Sequence, residues 1–109
     1  MGPLEYFFDL VQIDSPSKEE EKVREYLQNF LDSYGFASKT DRWGNLLGRR
    51  NGIGKPILLC AHMDTIEPGR GIEPIIDDGW VRSKGETILG ADNKAWLSAI
   101  LSAVDQRRG

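Results

Sequence analysis

The sequence contains one cysteine, Cys60, and one histidine, His62. A lone cysteine cannot close an internal disulfide, so a reducing cytoplasm is the expected compartment, with Cys60 read as a small buried hydrophobe. Long apolar runs are missing too. The longest is Ile57-Leu58-Leu59-Cys60-Ala61, far short of the roughly 18 residues of a membrane span. The opening MGPLEYFFDL has neither the positive start nor the small-residue cleavage site of a signal peptide. Positive charge is also scarce. The chain carries 14 Lys+Arg against 17 Asp+Glu, a formal charge of −3, and its adjacent arginines come only as the doublets Arg49-Arg50 and Arg107-Arg108. A protein that grips a nucleic-acid backbone needs a basic face, so neither nucleic acid nor membrane is an expected partner. Repeats, charge runs and low-complexity linkers are absent as well.

What is present suits one modest globular unit. Leu, Ile, Val and Phe make up 28 of the 109 residues, about 26% and above the roughly 20% below which disorder sets in. Leu4, Phe7, Phe8 and Val11 fall on one face of a short helix that opens with Pro3, and Asp14-Ser15-Pro16 stops it. Ser17 then begins S-K-E-E, which reads as a capping box with Glu20 at the start of a second helix. Val23, Tyr26, Leu27, Phe30, Leu31 and Tyr34 give that helix its apolar stripe, and Gly35 ends it. Two strands are expected over 36–41 and 46–49, around the Arg42-Trp43-Gly44-Asn45 turn. The run 56–61 reads as a strand covered on both faces. Ile75-Ile76 and Trp80-Val81 read as a hairpin around Asp77-Asp78-Gly79. A last helix carries Leu97, Ile100, Leu101 and Val104, capped by Asp92 or Asn93, with Arg107 and Arg108 at its negative end. The expected class is α/β: two N-terminal helices, a mixed sheet and a following helix, forming one partial domain over 1–109.

Two segments could carry chemistry. In Cys60-Ala61-His62-Met63-Asp64-Thr65, His62 lies where the apolar strand runs out, the place where open α/β sheets present polar groups. Extended backbone sends His62 and Asp64 to the same side. A carboxylate there accepts one imidazole N–H, fixes the tautomer and leaves the other nitrogen for a metal. The same pair also fits a plain strand-end histidine beside a solvated aspartate. The second segment runs from Gly85 to Lys94. Its Asp92 can cap the last helix or bridge two cations, and its Lys94 can be a surface residue or orient Asp92 by charge. Glu67-Pro68-Gly69-Arg70-Gly71 reads as a turn rather than a phosphate loop, since no Gly-Lys-Ser/Thr follows.

Taken in order and at this separation, the pieces resemble the amino-terminal part of peptidase T-like enzymes. These are co-catalytic zinc aminopeptidases and tripeptidases, in a superfamily shared with glutamate carboxypeptidases and acetylornithine or succinyl-diaminopimelate deacylases. The resemblance rests on residues 8–17, on Asp41-Arg42-Trp43-Gly44-Asn45-Leu46, on Leu59 to Thr65, and on Ile88-Leu89-Gly90-Ala91-Asp92-Asn93-Lys94-Ala95. It implies zinc, two ions per site, and a small peptide as substrate. His62 would ligate one zinc, Asp64 would orient that histidine, and Asp92 would bridge both ions. A metal-activated water would attack the peptide carbonyl, with a glutamate as general base.

The resemblance covers nearly all of this chain but only the first quarter to third of a family member. The family's Glu-Glu pair and its remaining metal ligands lie later, and Glu19-Glu20-Glu21 is no substitute, because acidic residues belong in a helix's first turn. The chain alone is therefore expected to be inactive. Asn93 stands where relatives often carry a second aspartate, and Trp96 where they commonly have glycine. The Trp96 ring would either crowd the metal pocket or cover apolar surface. Competing expectations are a non-catalytic α/β remnant or partner-binding association module, with self-association through an uncovered sheet, and a deacylase or carboxypeptidase of the same superfamily.

Overall fold

The computed structural model describes residues 1–106; Arg107 and Arg108, assigned above to a helix end, lie outside the described residues. Helix α1 spans Pro3–Val11, α2 spans Glu21–Ser33 and α3 spans Ala91–Gln106. Between α2 and α3 lie β1 (Ala37–Thr40), β2 (Leu46–Arg49), β3 (Pro74–Asp77) and β4 (Trp80–Ser83). The α/β class and the order helix, helix, strands, helix are as expected. The strands, however, form two separate antiparallel hairpins, β1–β2 and β3–β4, instead of one mixed sheet.

Each element has a local cause. Pro3 opens α1 with its φ already helical, and the Glu5 carboxylate accepts the Gly2 N–H at 3.1 Å. Gly35, at φ +80°, ends α2 in the left-handed conformation that a side chain resists. Asp41 Oδ1 accepts the N–H groups of Trp43 and Asn45, both at 2.9 Å, and so closes the β1–β2 turn. In the β3–β4 turn, Asp78 and Gly79 both have positive φ, the signature of a tight hairpin connection.

The core is organised around α1. One cluster joins Tyr6 and Leu10 to Val23, Leu27 and Phe30 of α2 and to Leu97 and Leu101 of α3. The Tyr6 and Phe30 rings meet edge to face at 5.6 Å. A second cluster joins Phe7 and Val11 to Ile72. The helix is therefore buried on two sides, and its inner face runs through Tyr6, Phe7, Leu10 and Val11. The expected face through Leu4 and Phe8 is displaced by one position, leaving Leu4 exposed. Asp105 closes the other end of the bundle. Its carboxylate accepts the Met1 ammonium and the hydroxyls of Tyr6 and Tyr34, each at 2.8 Å.

Two further expectations are corrected. Residues 56–61 form no strand, and Cys60 is exposed rather than buried. A strand covered on both faces needs ladder partners and flanking layers. Among the described residues neither hairpin reaches this run, so Ile57 and Leu58 are both 85% exposed. The capping box at Ser17 also fails. Helix α2 begins four residues later, with Glu20 at its N-cap position and no side-chain cap bond.

Burial of Leu10 between the helices makes Leu10→Ala a cavity mutation. Urea unfolding should show a loss of roughly 2–5 kcal/mol, whereas Leu58→Ala should change stability by less than about 0.5 kcal/mol. Equal effects would show that α1 is not the organising element.

Candidate functional site

Three segments converge beyond the carboxyl end of α1. Residues 15–17 run alongside 64–65: the Thr65 N–H donates to the Ser15 carbonyl at 2.8 Å, and Pro16 and Thr65 form a parallel bridge. Ser15 and Thr65 are both buried, so this short pairing fixes the height of the 62–65 segment over α1. The start of α3 supplies the third segment. Gly90, at φ +83°, turns the chain in a left-handed conformation that a side chain resists, beside Ile72 and Thr65. Asp92 and Asn93 follow in non-helical conformations before the regular helix begins.

The side chains meet around the imidazole of His62. Its Nδ1 lies 3.0 Å from Asp64 Oδ1 and 3.0 Å from the Asp64 carbonyl. Its Nε2 lies 3.1 Å from Asp92 Oδ1. The same-side projection of His62 and Asp64 is thus present, although the strand that suggested it is not. Asp64 is held in turn by Ser17, whose hydroxyl donates to Oδ2 at 2.5 Å.

Both ring nitrogens face acceptors, and the electrostatics follow from that. Partial burial pulls the His62 pKa down, but the carboxylates of Asp92 and Asp64 outweigh it and hold the imidazole above its ordinary value. The Ser17 hydroxyl, followed by the His62 charge, keeps Asp64 below the usual carboxylate range. A ring clasped in this way has an acceptor for a proton on each nitrogen.

Other residues brace the site. Lys94 is only 1% exposed, and its Nζ donates to the Ile13 carbonyl at 2.7 Å, tying α3 to the end of α1. It is neither of the two things the sequence suggested, a surface residue or a charge against Asp92. Its position was legible all the same. Residues 94, 97, 98 and 101 follow helical spacing, and Leu97, Ser98 and Leu101 are buried on that face. The Trp96 indole N–H donates to the Cys60 carbonyl at 2.8 Å with its ring 45% exposed, so it tethers the segment before His62 to α3. Arg70 binds Glu19 at 2.6 Å and Glu67 at 2.9 Å, joining the 67–71 turn to the approach to α2.

As a metal site this is half of one. His62 Nε2 and the Asp92 carboxylate are nitrogen and oxygen donors of the kind zinc takes, close together and open outward, with the Asp92 side chain 95% exposed. No third His, Cys, Asp or Glu joins them as a metal-holding group among the described residues.

Burial lowers the Lys94 pKa to about 8, and the charge of Asp14 opposes the shift only in part. The folded state therefore releases this proton before the unfolded state does. Lys94 weakens folding below pH 8, and that cost should disappear as pH rises from about 8 toward 10.4. Urea unfolding should show wild type gaining stability relative to Lys94→Met between pH 7.5 and 10. A constant difference would contradict this account.

No family model matches the chain. It is, however, 38% identical over 93% of its length to the Bacillus subtilis protein YqjE. Among solved structures it is similar to a tripeptidase from Staphylococcus aureus, with a TM-score of 0.88 and 36% identity over 94% of the chain. It is also similar to aminopeptidase PepT from Bacillus cereus, with a TM-score of 0.87 and 33% identity over 94% of the chain. The chain spans 30% of the length of the first of these relatives and 31% of each of the other two. Over nearly all of its length the chain is thus similar, in sequence and in fold, to the amino-terminal part of tripeptidases and aminopeptidases.

Proposed function

We propose that the chain is the amino-terminal part of a zinc-dependent exopeptidase that hydrolyses small peptides. The observation that carries this reading is the clasp on His62, with one carboxylate on each ring nitrogen. Asp64 accepts the Nδ1 proton and sets the plane of the ring. Nε2 is then directed at Asp92, and the two become the metal donors. Bound zinc supplies an activated water and polarises the scissile carbonyl. The exposed Asp92 carboxylate would be available to hold a second cation as well. Small peptides are the substrate class because two solved structures that the chain resembles are a tripeptidase and an aminopeptidase. A cytoplasmic setting belongs to the proposal and is supported by the lone cysteine. No helix among the described residues is long and apolar enough to cross a membrane.

Two donors fall short of the three protein ligands that a catalytic zinc normally needs. The 109 residues by themselves are therefore expected to bind zinc without turning over peptides. Calorimetry at neutral pH should show zinc binding that is lost in His62→Ala and in Asp92→Ala. Binding indifferent to both changes would refute the metal assignment. Hydrolysis of a tripeptide by the purified chain above the buffer rate would refute the inactivity.

A second reading is favoured by one specific observation, the exposure of Ile57 and Leu58 on a segment whose backbone pairs with no strand among the described residues. Such a segment is a template for another strand, and self-association is the expected result. Sedimentation should show mass rising with concentration, and Leu58→Lys should suppress the rise. A strictly monomeric wild-type chain would exclude this.

A further inference from the structure

We infer that Ser17 is a positioning residue for the His62 site. It acts through Asp64 as the outer member of a relay Ser17–Asp64–His62–Asp92; the inference rests on the metal reading above. Asp64 has two carboxylate oxygens, and both are engaged. Its Oδ1 faces His62 Nδ1 at 3.0 Å, and its Oδ2 accepts the Ser17 hydroxyl at 2.5 Å. A carboxylate held at one oxygen can still rotate about its terminal bond, a soft torsion. Held at both, it presents Oδ1 to the imidazole in one direction. A group that fixes a ligand's orientation in this manner typically alters metal affinity 10–100-fold when removed.

Ser17 is itself well placed to hold Asp64. On its N-terminal side, the parallel Pro16–Thr65 bridge brings the two segments together, and the Ser17 side chain reaches diagonally across it to Asp64. On its C-terminal side, Glu20 Oε1 accepts the Lys18 N–H at 3.0 Å while Lys18 sits at φ +72°, and Arg70 holds Glu19. The hydroxyl has no competing role, because α2 starts at Glu21 and takes no cap from it.

His62 is the only histidine, so its ring nitrogens give unambiguous 15N resonances. The full chain should be compared with Ser17→Ala and Ser17→Thr, folding being checked by circular dichroism. First, without metal and above the His62 pKa, the neutral ring should be mainly the Nδ1–H tautomer in wild type. Ser17→Ala should shift it toward Nε2–H, and Ser17→Thr should restore it. Second, zinc titration should show roughly a 10-fold or greater weakening in Ser17→Ala, again restored by Ser17→Thr. A tautomer balance unchanged in Ser17→Ala overturns the inference whether or not zinc binds. A loss that threonine fails to rescue also overturns it, since the effect would then come from the shape of the loop and not from the hydroxyl. Zinc binding indifferent to His62→Ala and Asp92→Ala, with the tautomer still dependent on Ser17, would instead overturn the metal reading and leave the relay standing.

Discussion

Burial of α1 is the constraint on which the rest of this chain depends. The helix is only nine residues long and would not persist alone in water. It persists because Tyr6 and Leu10 fill one cluster while Phe7 and Val11 fill another. Everything polar that matters hangs from its carboxyl end. The Ile13 carbonyl takes Lys94, the Asp14 carboxylate takes the Gly71 N–H at 2.8 Å, and the Ser15 carbonyl takes Thr65. These three attachments bring segments separated by up to 81 positions to one place.

Around that frame, the candidate site is a problem in charge placement. Two carboxylates stand within 3.1 Å of one imidazole, and without a cation they would repel each other across it. The imidazolium satisfies both. A metal at Nε2 would satisfy Asp92 in its turn, and Asp64 would keep the remaining ring proton.

The parts legible in the sequence were those with local causes. Helix α2 was plain from its stripe and from Gly35, and both hairpins from their Gly-bearing turns. The family's motifs identified His62, Asp64 and Asp92, and the structure brings all three together. The misreadings share one cause, which is tertiary context overriding local pattern. An apolar run such as 56–61 signals a buried strand only if something covers it. S-K-E-E at 17–20 has the composition of a capping box, yet the Ser17 hydroxyl is drawn across to Asp64, 47 positions away, beside the Pro16–Thr65 bridge. Lys94 was missed because lysine is almost never found fully buried, although its spacing relative to Leu97 and Leu101 placed it inside.

The tether from Trp96 to the Cys60 carbonyl makes the two donor segments one mechanical unit. His62 lies two residues beyond one end of it, and Asp92 four residues before the other. Neither donor can drift far while the indole stays bonded, and opening the first turn of α3 would release both together. The entropy of bringing His62 and Asp92 into register is thus lost when the chain folds. It follows by thermodynamic linkage that any cation held between His62 and Asp92 also stabilises the union of α1 with α3, in proportion to the logarithm of its concentration once the site is saturated.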